Sequence, residues 1–225
     1  MSGAGRSVVV PPPPSPFDAL GHVVPAGSLL HRVHDPKRAG NSFNPGIGSP
    51  TRFAFFRSPA VLDSTADPDG PVVPVLYAAS TAEAAVCETI LHDIPLGGGV
   101  LPGRSYMSRT ETALSVSRDL NLAMLMGPGL RRLSVTPQQL TATDADVYDQ
   151  TVLWAQQAHL VGFDGVVWMS ARDNTSEAYM LFGDRVAEHE LEITDDGIGP
   201  FAPGTPGFSW LSAYCSTVKI ELLIV

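Results

Sequence analysis

Cysteine and lysine are scarce in this chain, and long apolar runs are missing. Among its 225 residues, Cys87 and Cys215 are the two cysteines, too few for a disulfide framework or a cysteine-based metal site. Only Lys37 and Lys219 are lysines, and the net charge of −9 disfavours non-specific binding to a nucleic-acid backbone. No run approaches the ~18 apolar residues that are needed to span a membrane. These absences predict a reduced, cytoplasmic protein without direct nucleic-acid or membrane contacts.

The common sequence signatures of nucleotide, metal and hydrolase sites are also missing. The chain has no G-x-x-x-x-G-K-[ST] loop, no G-x-G-x-x-G after a strand, no H-E-x-x-H and no G-x-S-x-G. His31 and His34 are near neighbours in the sequence, but no third ligand accompanies them. We therefore predict no metal site.

Proline and glycine, in contrast, are abundant, with 20 and 21 residues. Residues 1–25 are rich in Pro, Gly and Ser, a composition that predicts a flexible arm. With 44% apolar and 16% charged residues, the remainder is typical of a globular protein. Residues 26–225 are long enough for a single domain with its own core.

The clearest local pattern is a strand over residues 74–78 followed by a helix from 81 to about 93. Ser80 and Glu83 have the spacing of a capping box. Glu88 falls at the edge of the apolar arc, where a half-desolvated carboxylate on a rigid element suits catalysis. It could equally be a boundary glutamate that reaches water or pairs with an arginine. The arc itself, which should face the core, consists of Ala84, Val86, Cys87, Ile90 and Leu91.

The rest of the chain reads mainly as short strands. A second helix is predicted over 145–160, with Gly162 as its stop signal. Residues 51–56 read as a strand or turn, and 195–209 as a Gly/Pro-rich loop. Many strands and few helices predict a mixed α+β domain. The further strands are predicted at 28–33, 112–117, 120–126, 130–136, 163–170, 179–182 and 219–225.

Five polar or aromatic residues follow these elements in a particular order: Arg32, Arg52, Tyr77, Glu88 and Ser170. Each has a purely structural reading. The arginines could be surface charges, the tyrosine a core residue and the serine a turn or cap.

Their order resembles the RES domain, a family named for its Arg, Glu and Ser and found in toxins of bacterial toxin–antitoxin pairs. The resemblance covers roughly residues 28–190. It implies a compact α+β fold similar to the ADP-ribosyltransferases, with NAD as a substrate that water or phosphate cleaves at the nicotinamide–ribose bond. The matching segments are Leu30-His-Arg32, Phe43-Asn-Pro-Gly46, Thr51-Arg-Phe53, Pro74-Val-Leu-Tyr-Ala-Ala-Ser80, Ala84-Ala-Val-Cys-Glu88, Gly162-Phe-Asp-Gly-Val-Val-Trp-Met-Ser170 and Leu181-Phe-Gly-Asp-Arg185.

The resemblance also implies a role for each of the five residues. Arg32 and Arg52 would grip the pyrophosphate of NAD and order the pocket, since a guanidinium binds phosphate in a bidentate way. Glu88 would stabilise the positive charge that develops on the ribose. Tyr77 offers an aromatic face to the nicotinamide. Ser170 would hydrogen-bond the carboxamide or ribose, or hold Glu88 in place. We therefore predict Glu88, Arg32 and Ser170 as catalytic, and Arg52, Tyr77 and Arg32 as NAD-binding.

The implied partner is an antitoxin of the Xre type, which would block the pocket and make the contacts to DNA. NAD is then a substrate, and no separate cofactor is expected. A homodimer is expected only from the frequency of such assemblies among small proteins. Two other functions stay open: transfer of ADP-ribose to a macromolecule, and NAD binding without turnover.

Overall fold

A nine-stranded mixed sheet forms the centre of the computed structural model, which describes residues 9–58, 70–95 and 97–224. The strands are β1 Gly21–Val24, β2 Leu29–His34, β3 Val75–Ala79, β4 Gly99–Leu101, β5 Thr110–Val116, β6 Leu120–Met124, β7 Gly165–Met169, β8 Glu177–Phe182, β9 Leu191–Ile193, β10 Gly199–Pro200 and β11 Ile220–Leu222. The helices are α1 Ala82–Thr89, α2 Gly103–Tyr106, α3 Gly127–Arg132, α4 Pro137–Leu140, α5 Tyr148–Leu160 and α6 Pro206–Thr217, with 3-10 turns at Ala145–Val147 and Glu188–Glu190.

The order of strands in the sheet is β1-β6-β7-β8-β3-β2-β5-β10, and β9 also pairs with β5. The β6–β7 pair is parallel, whereas the other neighbours in this sheet are antiparallel. A small parallel pair, β4 and β11, lies outside it. The predicted α+β class with a mixed sheet is confirmed.

Strand β3 lies in the interior of the sheet and is covered on both faces. Val75 and Tyr77 contact the core cluster built around Trp154 and Trp168, while Leu76 and Ala78 belong to the cluster on the other face. This alternation follows from the two-residue period of a strand. Because both faces are packed, the strand is a rigid base for the helix that follows it.

Helix α1 begins one residue later than the capping box predicts. Its N-cap is Thr81, whose Oγ1 accepts the Ala84 N–H at 3.2 Å. The predicted cap, Ser80, instead extends the β3–β8 ladder, where its Oγ accepts the Glu177 N–H at 2.9 Å. The helix also ends at Thr89, earlier than predicted. The predicted apolar arc is confirmed, since Ala84, Val86, Cys87, Ile90 and Leu91 are all buried.

Two predictions of local structure are wrong. Residues 130–136 do not form a strand, because Gly127–Arg132 is a helix with proline in its first turn, a position that proline favours. The predicted loop at 195–209 contains β10 and the first turn of α6. Helix α6 is capped by Thr205, whose Oγ1 accepts the Phe208 N–H at 3.1 Å.

Other predictions of helices and strands are confirmed. Helix α5 follows the 3-10 turn at Ala145, and Gly162 adopts a φ of +102° just after its end, as expected of a helix stop. The predicted terminal strand at 219–225 appears as β11, and Val225 lies outside the described residues.

The proline-rich segment packs on the domain from residue 9 onward, although its composition predicts a flexible arm; residues 1–8 lie outside the described part. Val10 and Phe17 are buried, and Pro11 O accepts the Trp154 Nε1–H at 3.0 Å. Phe17 also meets Trp154 edge to face, with ring centroids 6.1 Å apart. Strand β1 then joins the sheet beside β6. Apolar side chains between the prolines thus anchor the segment.

Replacing Phe17 with alanine should lower the free energy of unfolding by about 3–5 kcal/mol, as expected for a buried aromatic side chain. Urea denaturation followed by tryptophan fluorescence measures the change. Val9→Ala is the matched control, because Val9 is 75% exposed and its loss should be nearly neutral. Equal stability of the two variants would contradict the packed arrangement.

Candidate active site

A cavity of about 450 Å³ is lined by residues of β2, β3 and α1. Strands β2 and β3 share a single paired position, His31 with Ala79. Helix α1 contributes Ala85, Glu88 and Thr89 to the wall. The volume falls within the ~300–1,000 Å³ range of small-molecule sites. Four of the five predicted site residues line it: Arg32, Arg52, Tyr77 and Glu88.

Glu88 presents its carboxylate to this cavity from the last turn of α1. Its side chain is 16% exposed, which agrees with the predicted position at the edge of the apolar arc. Oε1 accepts a hydrogen bond from Ser170 Oγ at 2.6 Å. Within the described residues, Oε2 accepts no hydrogen bond, and its ion-pair contact is with Arg52 Nη1 at 3.8 Å. One carboxylate oxygen is therefore held by the protein while the other can meet a ligand.

Ser170 stands behind Glu88 and does not line the cavity. It is buried at the end of β7, with 1% of its surface exposed. Its Oγ accepts the backbone N–H groups of Arg172 at 3.3 Å and Asp173 at 3.0 Å. Of the roles considered for Ser170, this geometry favours holding Glu88 in place.

Arg52 is the arginine that faces Glu88. It lies in a tight turn in which Thr51 and Ala54 exchange backbone hydrogen bonds. Its Nη2 donates to Thr143 O at 3.2 Å, and its guanidinium lies 5.8 Å from the centre of the Tyr148 ring. At 3.8 Å the contact with Glu88 is long for an ion pair, so both groups can still engage a ligand.

Arg32 has a different set of contacts. Its Nη1 donates to Gly40 O at 2.7 Å and to Ser42 O at 2.6 Å, which ties the loop after β2 to the strand. Burial, and then the positive charge of Arg38, lowers its pKa to about 10. The guanidinium thus stays cationic at neutral pH. Arg32 lines the cavity and orders its edge at the same time.

Tyr77 anchors the turn that carries Arg52. Its hydroxyl is 2.8 Å from Thr51 Oγ1 and accepts the Phe53 N–H at 3.3 Å. Burial raises the pKa of Tyr77 well above its usual value, so the phenol stays protonated. Its ring meets Trp168 edge to face, with centroids 6.1 Å apart. Tyr77 therefore offers both an aromatic wall and a structural hydroxyl.

Several polar and aromatic side chains that line the cavity are absent from the predicted site, among them His31, Tyr148 and Trp168. His31 stands out only as one of a histidine pair, and its partner His34 does not line the cavity but bonds Thr112 through Nε2 at 2.9 Å. Tyr148 follows the acidic start of the second helix, and no local pattern singles it out.

The described residues contain neither a cluster of metal-ligating side chains nor a helix that could span a membrane. Within 9–58, 70–95 and 97–224, no three His, Cys, Asp or Glu side chains come together as a metal site. No helix in these ranges has the length and apolar character to cross a membrane.

Comparison with known proteins identifies the family. The family model described as RES domain matches residues 29–201, from β2 through β10. The chain belongs to the RES domain family. The match extends further towards the C-terminus than the resemblance at residues 28–190. No curated protein matches the chain.

The fold of this RES domain is also similar to a solved structure. The similar chain comes from the crystal structure of the M. tuberculosis MbcT–MbcA toxin–antitoxin complex. The TM-score is 0.53 at 14% identity, and the match covers 88% of this chain and 91% of that one. At this identity the likeness concerns the fold alone.

Replacing Tyr77 with phenylalanine should cost about 1–2 kcal/mol of unfolding free energy, because the Thr51 and Phe53 contacts are lost while the ring is kept. Tyr148→Phe is the control, since the hydroxyl of Tyr148 has no hydrogen bond within the described residues and lines the same cavity. Urea titration of both variants measures the difference. A Tyr77→Phe variant as stable as Tyr148→Phe would show that the hydroxyl does not anchor the turn.

Proposed function

We propose that this protein is a toxin-type enzyme that cleaves the nicotinamide–ribose bond of NAD, with water or phosphate as the acceptor. The observation that carries the proposal is the Glu88 carboxylate at the cavity, with Oε1 bonded to Ser170 and Oε2 facing Arg52 at 3.8 Å. Membership of the RES domain family supports it.

The proposed reaction needs three things from the cavity. The two phosphates of NAD need cationic partners, and Arg32 and Arg52, which both line the cavity wall, can supply them. The nicotinamide needs a flat apolar surface, for which Tyr77 and Trp168 are available. The developing oxocarbenium charge needs a fixed carboxylate, and Glu88 is held on a helix. Nicotinamide then leaves as a neutral ring, while the acceptor oxygen bonds to the ribose and its proton passes to solvent.

We also propose that an antitoxin protein, of the Xre type implied by the resemblance, controls the enzyme. The fold neighbour is a chain of a toxin–antitoxin complex, which supports a protein partner of this kind. A cytoplasmic location and a homodimer remain predictions. A cytoplasmic location fits the proposed activity, because the enzyme needs access to its substrate NAD.

Glu88→Gln should reduce nicotinamide release by about 10²–10³-fold, because the amide has the shape of the carboxylate but not its charge. Purified protein is incubated with NAD, with and without phosphate, and the products are separated by chromatography. The control is Glu83→Gln on the same helix, since Glu83 does not line the cavity and its loss should leave the rate unchanged. ADP-ribose or its phosphorylated form among the products identifies the acceptor.

Either of two results would contradict the proposed cleavage. If Glu88→Gln retains the wild-type rate, the carboxylate has no catalytic role. If wild-type protein releases no nicotinamide, labelled NAD distinguishes the alternatives: label on a macromolecule indicates ADP-ribosyl transfer, and bound, uncleaved NAD indicates a binding module.

Ser170→Ala should lower kcat by roughly 10-fold, which corresponds to the loss of one hydrogen bond to a charged group. KM for NAD should change little, because Ser170 does not line the cavity. Steady-state kinetics separate the two parameters. Ser209→Ala, at an exposed position on α6, is the control. A raised KM with an unchanged kcat would instead indicate that Ser170 contacts the substrate.

A further inference from the structure

A histidine of the cavity wall, His31, contacts a buried carboxylate that lies behind it, Glu111. His31 lies on β2 and lines the cavity, and its Nδ1 is 2.8 Å from Glu111 Oε1. The Glu111 side chain is 0% exposed, and its Oε2 accepts the Ile198 N–H at 2.5 Å. Both oxygens of this carboxylate are therefore engaged inside the protein.

The burial of Glu111 requires a compensating charge. An isolated buried carboxylate is strongly disfavoured unless it is paired and hydrogen-bonded. Within the described residues, His31 is its sole ion-pair partner. The contact between His31 Nδ1 and Glu111 Oε1, at 2.8 Å, is the pairing that this carboxylate has. The contact also fixes the orientation of the imidazole ring, because a ring held at Nδ1 has a defined direction for Nε2.

Nε2 is the ring nitrogen that remains available to a ligand. No residue of the described part forms a hydrogen bond with it, and His31 is part of the cavity wall. Neighbouring side chains of a strand point to opposite faces, yet His31 and Arg32 both line the cavity. The two side chains thus reach the same space from two sides of one strand.

The other charged and titratable groups on the wall are few. Helix α1 and the residues after it contribute Glu88, His92 and Asp93, and the turn at 51–54 contributes Arg52. The phenols of Tyr77 and Tyr148 are the remaining titratable groups of the described wall. His92 pairs with Asp93 at 2.9 Å, and Asp93 is 98% exposed. His31 therefore differs from His92 in having a fully buried carboxylate behind it.

We propose that His31 is an anion-binding residue of the cavity, whose Nε2–H donates to a phosphate oxygen while Glu111 positions the ring. The identity of the ligand rests on the proposed function: the oxygen belongs either to the diphosphate of NAD or to inorganic phosphate acting as acceptor. Both sources present the same chemistry to His31.

Isothermal titration with inorganic pyrophosphate and, separately, with inorganic phosphate tests this assignment. The dissociation constant of the favoured anion should rise about 10–100-fold in His31→Gln, as expected for the loss of a charge-assisted hydrogen bond. Glu111→Gln should also raise it, because a single amide oxygen cannot accept from both His31 Nδ1 and the Ile198 N–H. Tighter pyrophosphate binding assigns His31 to the dinucleotide, and tighter phosphate binding assigns it to the acceptor.

Two further variants separate this role from a structural one. His22→Gln is the matched control, because His22 also pairs with a glutamate, Glu177 at 3.3 Å, but does not line the cavity. The double variant His31→Gln, Glu111→Gln replaces the pair with two neutral amides. It should retain its thermal unfolding temperature more closely than His31→Gln and still bind the anion weakly.

The inference is overturned if His31→Gln binds both anions as tightly as His22→Gln, or if the wild type binds neither saturably. The outcome is independent of turnover. Anion binding through His31 without NAD cleavage would contradict the proposed function alone. NAD cleavage with anion binding that is insensitive to His31 would contradict this inference alone.

Discussion

The hydrogen bond between Ser170 and Glu88 is the contact on which the site depends. Ser170 Oγ accepts two backbone N–H groups, so its single proton is directed at Glu88 Oε1. The bond connects α1 to the end of β7, and the two bonded residues are 82 positions apart in the sequence. Since Oε1 is satisfied in this way, Oε2 is the oxygen left for a ligand. Orientation of the carboxylate is thus built into the fold before any ligand binds.

Much of this site could be predicted because its parts are local patterns. A strand of alternating faces followed by an apolar helical arc fixes the position of Glu88 at the edge of that arc, and the structure agrees. Tyr77 and Arg52 follow from the resemblance, and both line the cavity. Helix α1 starts one residue after the predicted position, because Ser80 and Thr81 are both favourable N-cap residues. The β8 backbone engages Ser80, a contact that local sequence does not reveal.

Other features could not be predicted because they arise from distant pairings. His31 and Glu111 are 80 residues apart, and only the β2–β5 register brings them to one face. The packing of the proline-rich segment likewise depends on Trp154, far along the chain. Helix α6 is a different case, since Thr205 followed by proline is a recognisable helix start. The glycine and proline content of residues 195–209 predicts a loop, although Thr205 and the proline after it indicate the start of a helix.

The two arginines show why residue type alone does not define a role. Arg32 and Arg52 resemble each other in sequence as phosphate-binding candidates, but Arg32 donates to two loop carbonyls, whereas Arg52 faces Glu88. Arg52 is buried, and its Nε has no hydrogen-bond partner among the described residues. An unsatisfied buried donor costs about 1–3 kcal/mol. Arg52 Nη1 faces the Glu88 carboxylate beside the cavity, whereas Arg32 Nη1 is committed to the loop after β2.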